Sequence, residues 1–278
     1  MSWQVVATHA IAKNETKGSE DNNFSASNLH VVFDGVSSGL DPQRPAPTIE
    51  GMTPGQFAVQ TGLAAIENAV ASYRDRVSFV QALSEALADA IKQQSGDIGK
   101  PAYVFAVFLP EHDIIIQVGD CPVMIDGVVY ASELWFDVAK ARIRRWLLQH
   151  QVARGKSVDE LVRSDPTKPI MEWITQNLQF RCTNLSIRPF GYGVIDGQSV
   201  PDCHINVIPV SADAKRILLA TDGFPPTVLD HDPPTMLQKM EQLLAEDPLC
   251  IDQWPAVRGI QPNGRWPDDA TSLWLERV

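Results

Sequence analysis

The feature that most constrains the fold of this chain is a series of short apolar runs that each meet an acidic residue at one end. Residues 29–33 lead into Asp34, residues 114–118 into Asp120, and residues 216–221 into Asp222. Near the C-terminus the order is reversed, because Asp268-Asp269 precedes the apolar residues 270–275. Short apolar runs bounded by turn residues are typical of buried strands. The sequence therefore predicts carboxylates at the ends of several strands.

These carboxylates would repel each other if they converged in space, unless a cation lay among them. Oxygen ligands without histidine or cysteine favour a hard divalent ion, Mg²⁺ or Mn²⁺. A single Asp-Gly is more often a turn, and Asp126-Gly127, between two short apolar runs, is interpreted as a hairpin turn. Asp196 and Asp202 are interpreted as turn residues too and are excluded from the site. Only the set of acidic segments in this order favours a shared cation site.

Composition narrows the classes of function. Of 278 residues, 44% are hydrophobic and 21% charged, which is typical of a globular protein. A formal net charge of −11 argues against a nucleic-acid partner, and the basic cluster at residues 140–145 is interpreted as the polar face of a helix. No signal peptide or membrane-spanning run is expected, so we expect a cytoplasmic protein without a membrane partner. The four scattered cysteines form no Cys-x-x-Cys pair, which argues against zinc and favours free buried thiols.

Periodicity predicts strands in hairpins and helices in consecutive pairs. Helices are expected from Thr53-Pro54 to about Tyr73, from Ser78 to about Ile91, within residues 133–180, and over 234–245. A polar loop is expected over residues 13–23. Strands are expected over residues 3–9, 29–33, 103–109, 114–118, 123–125, 128–130, 205–210, 216–221 and 272–275. This order indicates an α+β fold and not alternating βαβ units.

The acidic motifs, taken in order, resemble those of the PPM-type metal-dependent serine/threonine protein phosphatases. The resemblance spans roughly residues 3–278. It implies a central antiparallel β-sandwich flanked by helix pairs, in four layers αββα. It also implies a single phosphatase domain over 1–278, with a variable helical flap at about 133–180. The motifs that carry it are Glu20-Asp21, Val31-Val32-Phe33-Asp34-Gly35, Val118-Gly119-Asp120, Thr221-Asp222-Gly223 and Asp268-Asp269-Ala270-Thr271.

The resemblance implies hydrolysis of phosphoserine and phosphothreonine in proteins by a metal-bound water or hydroxide. Two Mn²⁺ or Mg²⁺ ions would be bound, with a third ion at a weaker site. The substrate would be a phosphorylated protein, and a cognate serine/threonine kinase would be its counterpart. Asp21 would orient water at the site without binding an ion itself, and Asp269 would serve as a cap or hydrogen-bond partner. The implied metal ligands are Asp34, the backbone carbonyl of Gly35, Asp222, Asp268 and, for the third ion, Asp120.

Two departures from the family pattern leave an alternative open. Thr16 stands where the family has a phosphate-binding arginine, so Lys17, or failing that Lys13, is the candidate phosphate contact. Val36-Ser37-Ser38-Gly39 replaces the usual His or Met and glycine pair. A lysine binds phosphate as a point charge and lacks the bidentate fork of arginine. The alternative is therefore a catalytically weak or inactive relative that binds or regulates phosphoproteins, and a purely structural protein is the third hypothesis.

Overall fold

Ten strands in two sheets form the centre of the part of the chain that the structure describes. The structure is a computed structural model, and it describes residues 2–14, 18–36, 47–96, 98–166, 180–182, 190–256, 258–260 and 264–278. The helices are α1 (Pro54–Ala71), α2 (Arg76–Lys92), α3 (Trp135–Ala153), α4 (Val158–Arg163) and α5 (Pro233–Glu246). The strands are β1 (Trp3–Ile11), β2 (Asn22–Ala26), β3 (Leu29–Gly35), β4 (Tyr103–Leu109), β5 (Ile114–Val118), β6 (Val123–Ile125), β7 (Val128–Tyr130), β8 (Ile205–Pro209), β9 (Arg216–Ala220) and β10 (Ala270–Arg277).

The first sheet has the strand order β1-β10-β9-β6-β7 and the second sheet has the order β2-β3-β4-β5-β8. Every pairing between these strands is antiparallel. Helices lie outside the sheets, so the predicted α+β sandwich is confirmed.

Burial on both faces explains why the central strands are continuous apolar runs. Successive side chains on a strand point to opposite faces. On β3, Val32 packs in the core between the two sheets, whereas Val31 and Phe33 pack on the side of α1 and α2. All seven residues of β4 are buried for the same reason. A strand covered on one face only would alternate apolar and polar residues.

The helices begin where short polar side chains can cap them. Thr53 caps α1 through a capping box with Gln56, as the Thr53-Pro54 pair predicted. The cap of α2 is Asp75, and Ser78, expected to open this helix, instead occupies the third helical position. Met236 and Met240 of α5 pack on the outer face of the first sheet. None of the described helices combines the length and apolar character that a bilayer crossing requires.

The structure corrects several expectations. Strand β2 replaces the end of the polar loop expected over residues 13–23. The basic cluster at residues 140–145 is only in part a polar face open to solvent: Arg142 is exposed, whereas Lys140 and Arg144 are only 6% and 1% exposed. Lys140 pairs with Asp137, while Arg144 Nη1 donates to carbonyls of Leu249, Cys250 and Ala256. The cysteines are unpaired as expected, but Cys203 is exposed.

Candidate functional site

The acidic motifs meet at one edge of the two sheets. Asp34 lies near the end of β3, Asp120 follows β5, and Asp222 follows β9. The antiparallel register sets Ser272 of β10 opposite Ala220 of β9, so the start of β10, preceded by Asp268, lies at the same edge. Strand ends that are distant in sequence thus place their carboxylates in one region.

Asp21 connects the two sheets through a short chain of hydrogen bonds. Its carboxylate, in a residue only 8% exposed, accepts a 2.7 Å hydrogen bond from Thr221 Oγ1. Thr221 Oγ1 in turn accepts from the backbone N–H of Thr271 at 2.8 Å. Burial, and then the charges of Asp269 and Asp222, raise the pKa of Asp21 well above its usual range. The hydroxyl of Thr221 therefore fixes a carboxyl group that is costly to ionise without a nearby cation.

Asp34, Asp222 and Asp120 form a group of carboxyls that cannot all be ionised at low cost. Enclosure by the protein raises the pKa of each, and their mutual repulsion raises those of Asp34 and Asp222 further. The Asp34 and Asp222 side chains interact closely enough to shift each other's pKa, so the two carboxyls cannot both be ionised at low cost. The pKa of Asp120 rises to about 7 through burial and the charge of Asp137. A divalent cation would supply the positive charge that a proton otherwise supplies.

Asp268 differs from these three because two cations hold it ionised. Lys13 Nζ lies 2.8 Å from Asp268 Oδ1, and Arg258 Nη1 lies 3.8 Å from Asp268 Oδ2. Burial acts to raise the pKa of Asp268, but Lys13 and Arg258 outweigh it and the pKa is lowered. Lys13 Nζ also lies 3.2 Å from Asp269 Oδ2 and 3.4 Å from Glu20 Oε2. The ammonium of Lys13 is thus already surrounded by carboxylates.

Asp269 accepts hydrogen bonds from two backbone segments. Its Oδ1 accepts from Lys13 N at 2.8 Å and its Oδ2 accepts from Glu20 N at 3.0 Å. This agrees with the expectation that Asp269 is a hydrogen-bond partner. The carboxylate fixes the chain that follows β1 and the chain that precedes β2 against the start of β10.

Two glycines permit the close approach of the acid-bearing segments. A Cβ on Gly35 would lie 2.7 Å from the carbonyl oxygen of Glu20, and a Cβ on Gly223 would lie 2.0 Å from that of Asp269. These distances are well below van der Waals contact. The glycines that follow Asp34 and Asp222 are therefore required by packing, independently of any role of the Gly35 carbonyl as a ligand.

A cavity of about 230 Å³ opens beside these carboxylates. Asp120, Asp222 and Asp268 line it together with Asp137 and Arg258. The rest of its wall is largely apolar, with contributions from Leu134, Val138, Phe224 and Trp254. Sequence analysis missed Asp137 and Arg258 because neither lies in a recognisable motif, and only the tertiary fold brings them to the cavity.

The predicted site residues differ in how far the structure describes them. It brings Asp21, Asp34, Asp120, Asp222 and Asp268 to one edge, whereas Lys17 and residues 37–39 lie outside the described residues. Among the described residues, no group of three or more Asp, Glu, His or Cys side chains stands in a ligating arrangement. The oxygen-only donor set and the raised pKa values of Asp34 and Asp222 nevertheless suit Mg²⁺ or Mn²⁺. The ligand roles stay predictions.

Solved structures of similar fold cover almost the whole chain. The serine/threonine phosphatase PstP/Ppp of Mycobacterium tuberculosis aligns with a TM-score of 0.52 and 16% identity, over 99% of each chain. The phosphatase Stp1 of Staphylococcus aureus aligns with a TM-score of 0.51 and 11% identity, over 99% of this chain and 95% of that one. The chain has the fold of these bacterial phosphatases.

The likeness is one of fold. The catalytic domain of PstP has also been solved in complex with two manganese ions, and it matches with a TM-score of 0.52 and 13% identity, over 99% of this chain and 98% of that one. No family model matches the chain, and no curated protein matches it. Identities of 11–16% indicate a shared fold and do not carry the chemistry of those phosphatases over to this chain.

Proposed function

We propose that this chain is a Mn²⁺- or Mg²⁺-dependent phosphatase that hydrolyses phosphoserine and phosphothreonine in proteins. The observation that carries the proposal is the convergence of carboxylates at one sheet edge, where the pKa values of Asp21, Asp34 and Asp222 are raised well above their usual range. A protein that needed no cation would gain stability by replacing such a cluster with neutral side chains. The fold shared with bacterial serine/threonine phosphatases supports the same conclusion.

The proposed ligands are Asp34, the Gly35 carbonyl, Asp222 and Asp268, with Asp120 for a further ion. When bound, the ions would neutralise phosphoryl charge and lower the pKa of water at the site. Asp21, held by the Thr221 hydroxyl, would orient that water by accepting a hydrogen bond. Leu134 and Phe224 line the cavity and would exclude bulk water from the reacting phosphate.

We propose one catalytic domain over 1–278 with a variable flap at about 133–180, of which residues 167–179 lie outside the described part of the chain. Its helix α3 supplies Asp137 and Val138 to the cavity wall, which supports this role. The substrate would be a phosphorylated cytoplasmic protein, with a serine/threonine kinase as the opposing enzyme.

Hydrolysis by the purified protein tests the proposal. p-Nitrophenyl phosphate and a phosphothreonine peptide are incubated with Mn²⁺, with Mg²⁺, and with excess EDTA. We expect turnover with the ions, its loss in EDTA and its return on adding Mn²⁺, with no phosphorylated protein residue trapped by acid quench. Unchanged turnover in EDTA, or a trapped phospho-residue, would contradict the proposal.

One observation favours a second candidate, a non-catalytic phosphoprotein-binding relative. Lys13 Nζ lies 2.8 Å from Asp268, a proposed metal ligand, and also contacts Asp269 and Glu20. A built-in ammonium lowers the need for a metal ion beside Asp268. Retention of a phosphothreonine peptide without hydrolysis at any concentration of Mn²⁺ or Mg²⁺ would establish this candidate and exclude the first.

A further inference from the structure

We infer that Arg258 is the residue that grips the substrate phosphate, an inference that rests on the proposed function. Among the described residues that line the cavity beside the carboxylates, Arg258 is the single basic side chain. Its side chain is 29% exposed, so it is neither sealed in the core nor fully solvated. A phosphate in the cavity would meet this guanidinium.

Arg258 is positioned so that a phosphate could lie between its guanidinium and divalent ions bound by the carboxylates. Its guanidinium lies near Asp268, with Nη1 3.8 Å from Oδ2, and its charge also acts on Asp137 and Asp222. The carboxylates of the wall would repel a phosphate dianion, so phosphate would enter only when divalent ions neutralise them. The planar guanidinium can then donate two parallel hydrogen bonds to phosphate oxygens that point away from the ions.

The loop that carries Arg258 is anchored on both sides of this residue. Arg144, buried in α3, donates to the carbonyl of Ala256 at 3.3 Å. A Cβ on Gly259 would lie only 2.8 Å from Arg144 Nη2, so the loop packs directly against that side chain. Ile260 N donates to the Pro248 carbonyl at 2.9 Å. The described neighbours Ala256, Gly259 and Ile260 are therefore held in place before substrate arrives, which lowers the entropy lost on binding.

The alternative lysine of the described residues is less well placed. Lys13 Nζ lies within 3.4 Å of carboxylates of Glu20, Asp268 and Asp269. An ammonium has three donors, and these contacts direct them towards carboxylates of the protein. Lys13 is therefore better explained as a structural counter-ion, whereas Arg258 lines the cavity itself.

Calorimetry and kinetics on four proteins test this inference. The wild type, R258A, R258K and R265A are saturated with Mg²⁺ and titrated with inorganic phosphate, and KM is measured for a phosphothreonine peptide. R265A is the matched control, since Arg265 is an exposed arginine of the same C-terminal region and lines a different cavity. Thermal melting shows whether each variant is folded, and R258K keeps the test valid if R258A does not fold.

We expect R258A to weaken phosphate binding at least about tenfold and to raise KM by a similar factor, because a charged hydrogen bond is lost. R258K should recover part of the affinity, since a point charge remains without the fork. R265A should match the wild type. If Arg258 served only to neutralise Asp268, R258A would instead tighten Mg²⁺ binding and leave phosphate affinity unchanged, and that result would overturn the inference.

The outcomes separate this inference from the proposed function. Turnover by the wild type with unaltered phosphate binding in R258A refutes the role of Arg258 and leaves the phosphatase proposal intact. Arg258-dependent phosphate binding without turnover refutes catalysis and supports the phosphate contact. A wild type that neither hydrolyses the peptide nor binds phosphate refutes both.

Discussion

Replacing Lys13 by methionine would remove a positive charge from the centre of the acidic cluster while keeping a side chain of similar length. Lys13 Nζ lies 2.8 Å from Asp268 Oδ1, 3.2 Å from Asp269 Oδ2 and 3.4 Å from Glu20 Oε2, and the lysine side chain is 20% exposed. A hydrogen bond to a charged group contributes about 1.5–3 kcal/mol, and removing one partner of a buried ion pair costs about 3–5 kcal/mol.

Because the Lys13 side chain is partly exposed, its contribution to stability is smaller than these free energies. We therefore expect K13M to lower the free energy of unfolding of the metal-free protein by about 2–4 kcal/mol. That corresponds to a fall in Tm of roughly 3–7 °C for a protein of this size. Urea titration followed by circular dichroism in EDTA measures the loss. The backbone hydrogen bond from Lys13 N to Asp269 is retained in the variant, so the ammonium alone is tested.

The matched control is K92M. Lys92 also pairs with an aspartate, Asp89, at 2.9 Å, but both side chains are mostly exposed. We expect a change below about 0.5 kcal/mol there, because an exposed pair contributes little. Mn²⁺ should also stabilise K13M more than the wild type, since the ion meets an Asp268 that is no longer neutralised by lysine. Equal stability of K13M and K92M would refute the assignment of Lys13 as a structural counter-ion.

Three further predictions concern the carboxylates and a glycine. D34N and D222N should each lower kcat at least about a hundredfold while the protein stays folded. The control D126N, at an exposed turn, should retain the wild-type rate. Steady-state kinetics at saturating Mn²⁺ measure both effects, and near-normal rates in either site variant would contradict the ligand assignment. In EDTA, the unfolding free energy should fall as pH rises from about 4 to 7. The cause is that folding raises the pKa of Asp120 from 3.8 to about 7, so the unfolded chain loses the Asp120 proton at lower pH than the folded chain. In urea titrations at several pH values, D120N should flatten this dependence of the unfolding free energy on pH. G223A should destabilise the protein by at least about 2 kcal/mol in the same assay, because its Cβ would lie 2.0 Å from the Asp269 carbonyl oxygen.

Sequence analysis located both the strands buried on both faces, such as β3 and β4, and the partly exposed strands β1, β7 and β8. β3 and β4 are continuous apolar runs, so they lack the spaced polar residues that an exposed helix would show. The acidic residues after such runs mark the ends of the strands. β2 was missed because Asn22–Ala26 carries a single large apolar residue, Phe24, and lies at the edge of its sheet. Such a strand is specified by its partner β3 more than by its own composition.

The parts of the site that could not be predicted depend on contacts between distant segments. Sequence analysis places Arg144 on the polar face of a helix, and cations are seldom buried. Its actual partners are carbonyls of Leu249, Cys250 and Ala256, more than a hundred residues away. The same loop delivers Arg258 to the cavity. No local pattern marks a loop arginine that a buried side chain positions from another element.

The pairing of β1 with β10 has a consequence for how the protein is made. β1, the first strand in the chain, pairs with β10, the last, and the paired residues His9 and Ser272 are 263 positions apart in the sequence. At about 5–20 residues per second, a ribosome needs roughly 13–53 s to bridge that interval. During this time β1 has no neighbour in its sheet, and Lys13 and Asp268 are not yet present in the same molecule. The acidic centre is therefore assembled only after most of the polypeptide has left the ribosome, and nascent chains interrupted before β10 would expose β1 to chaperones and proteases.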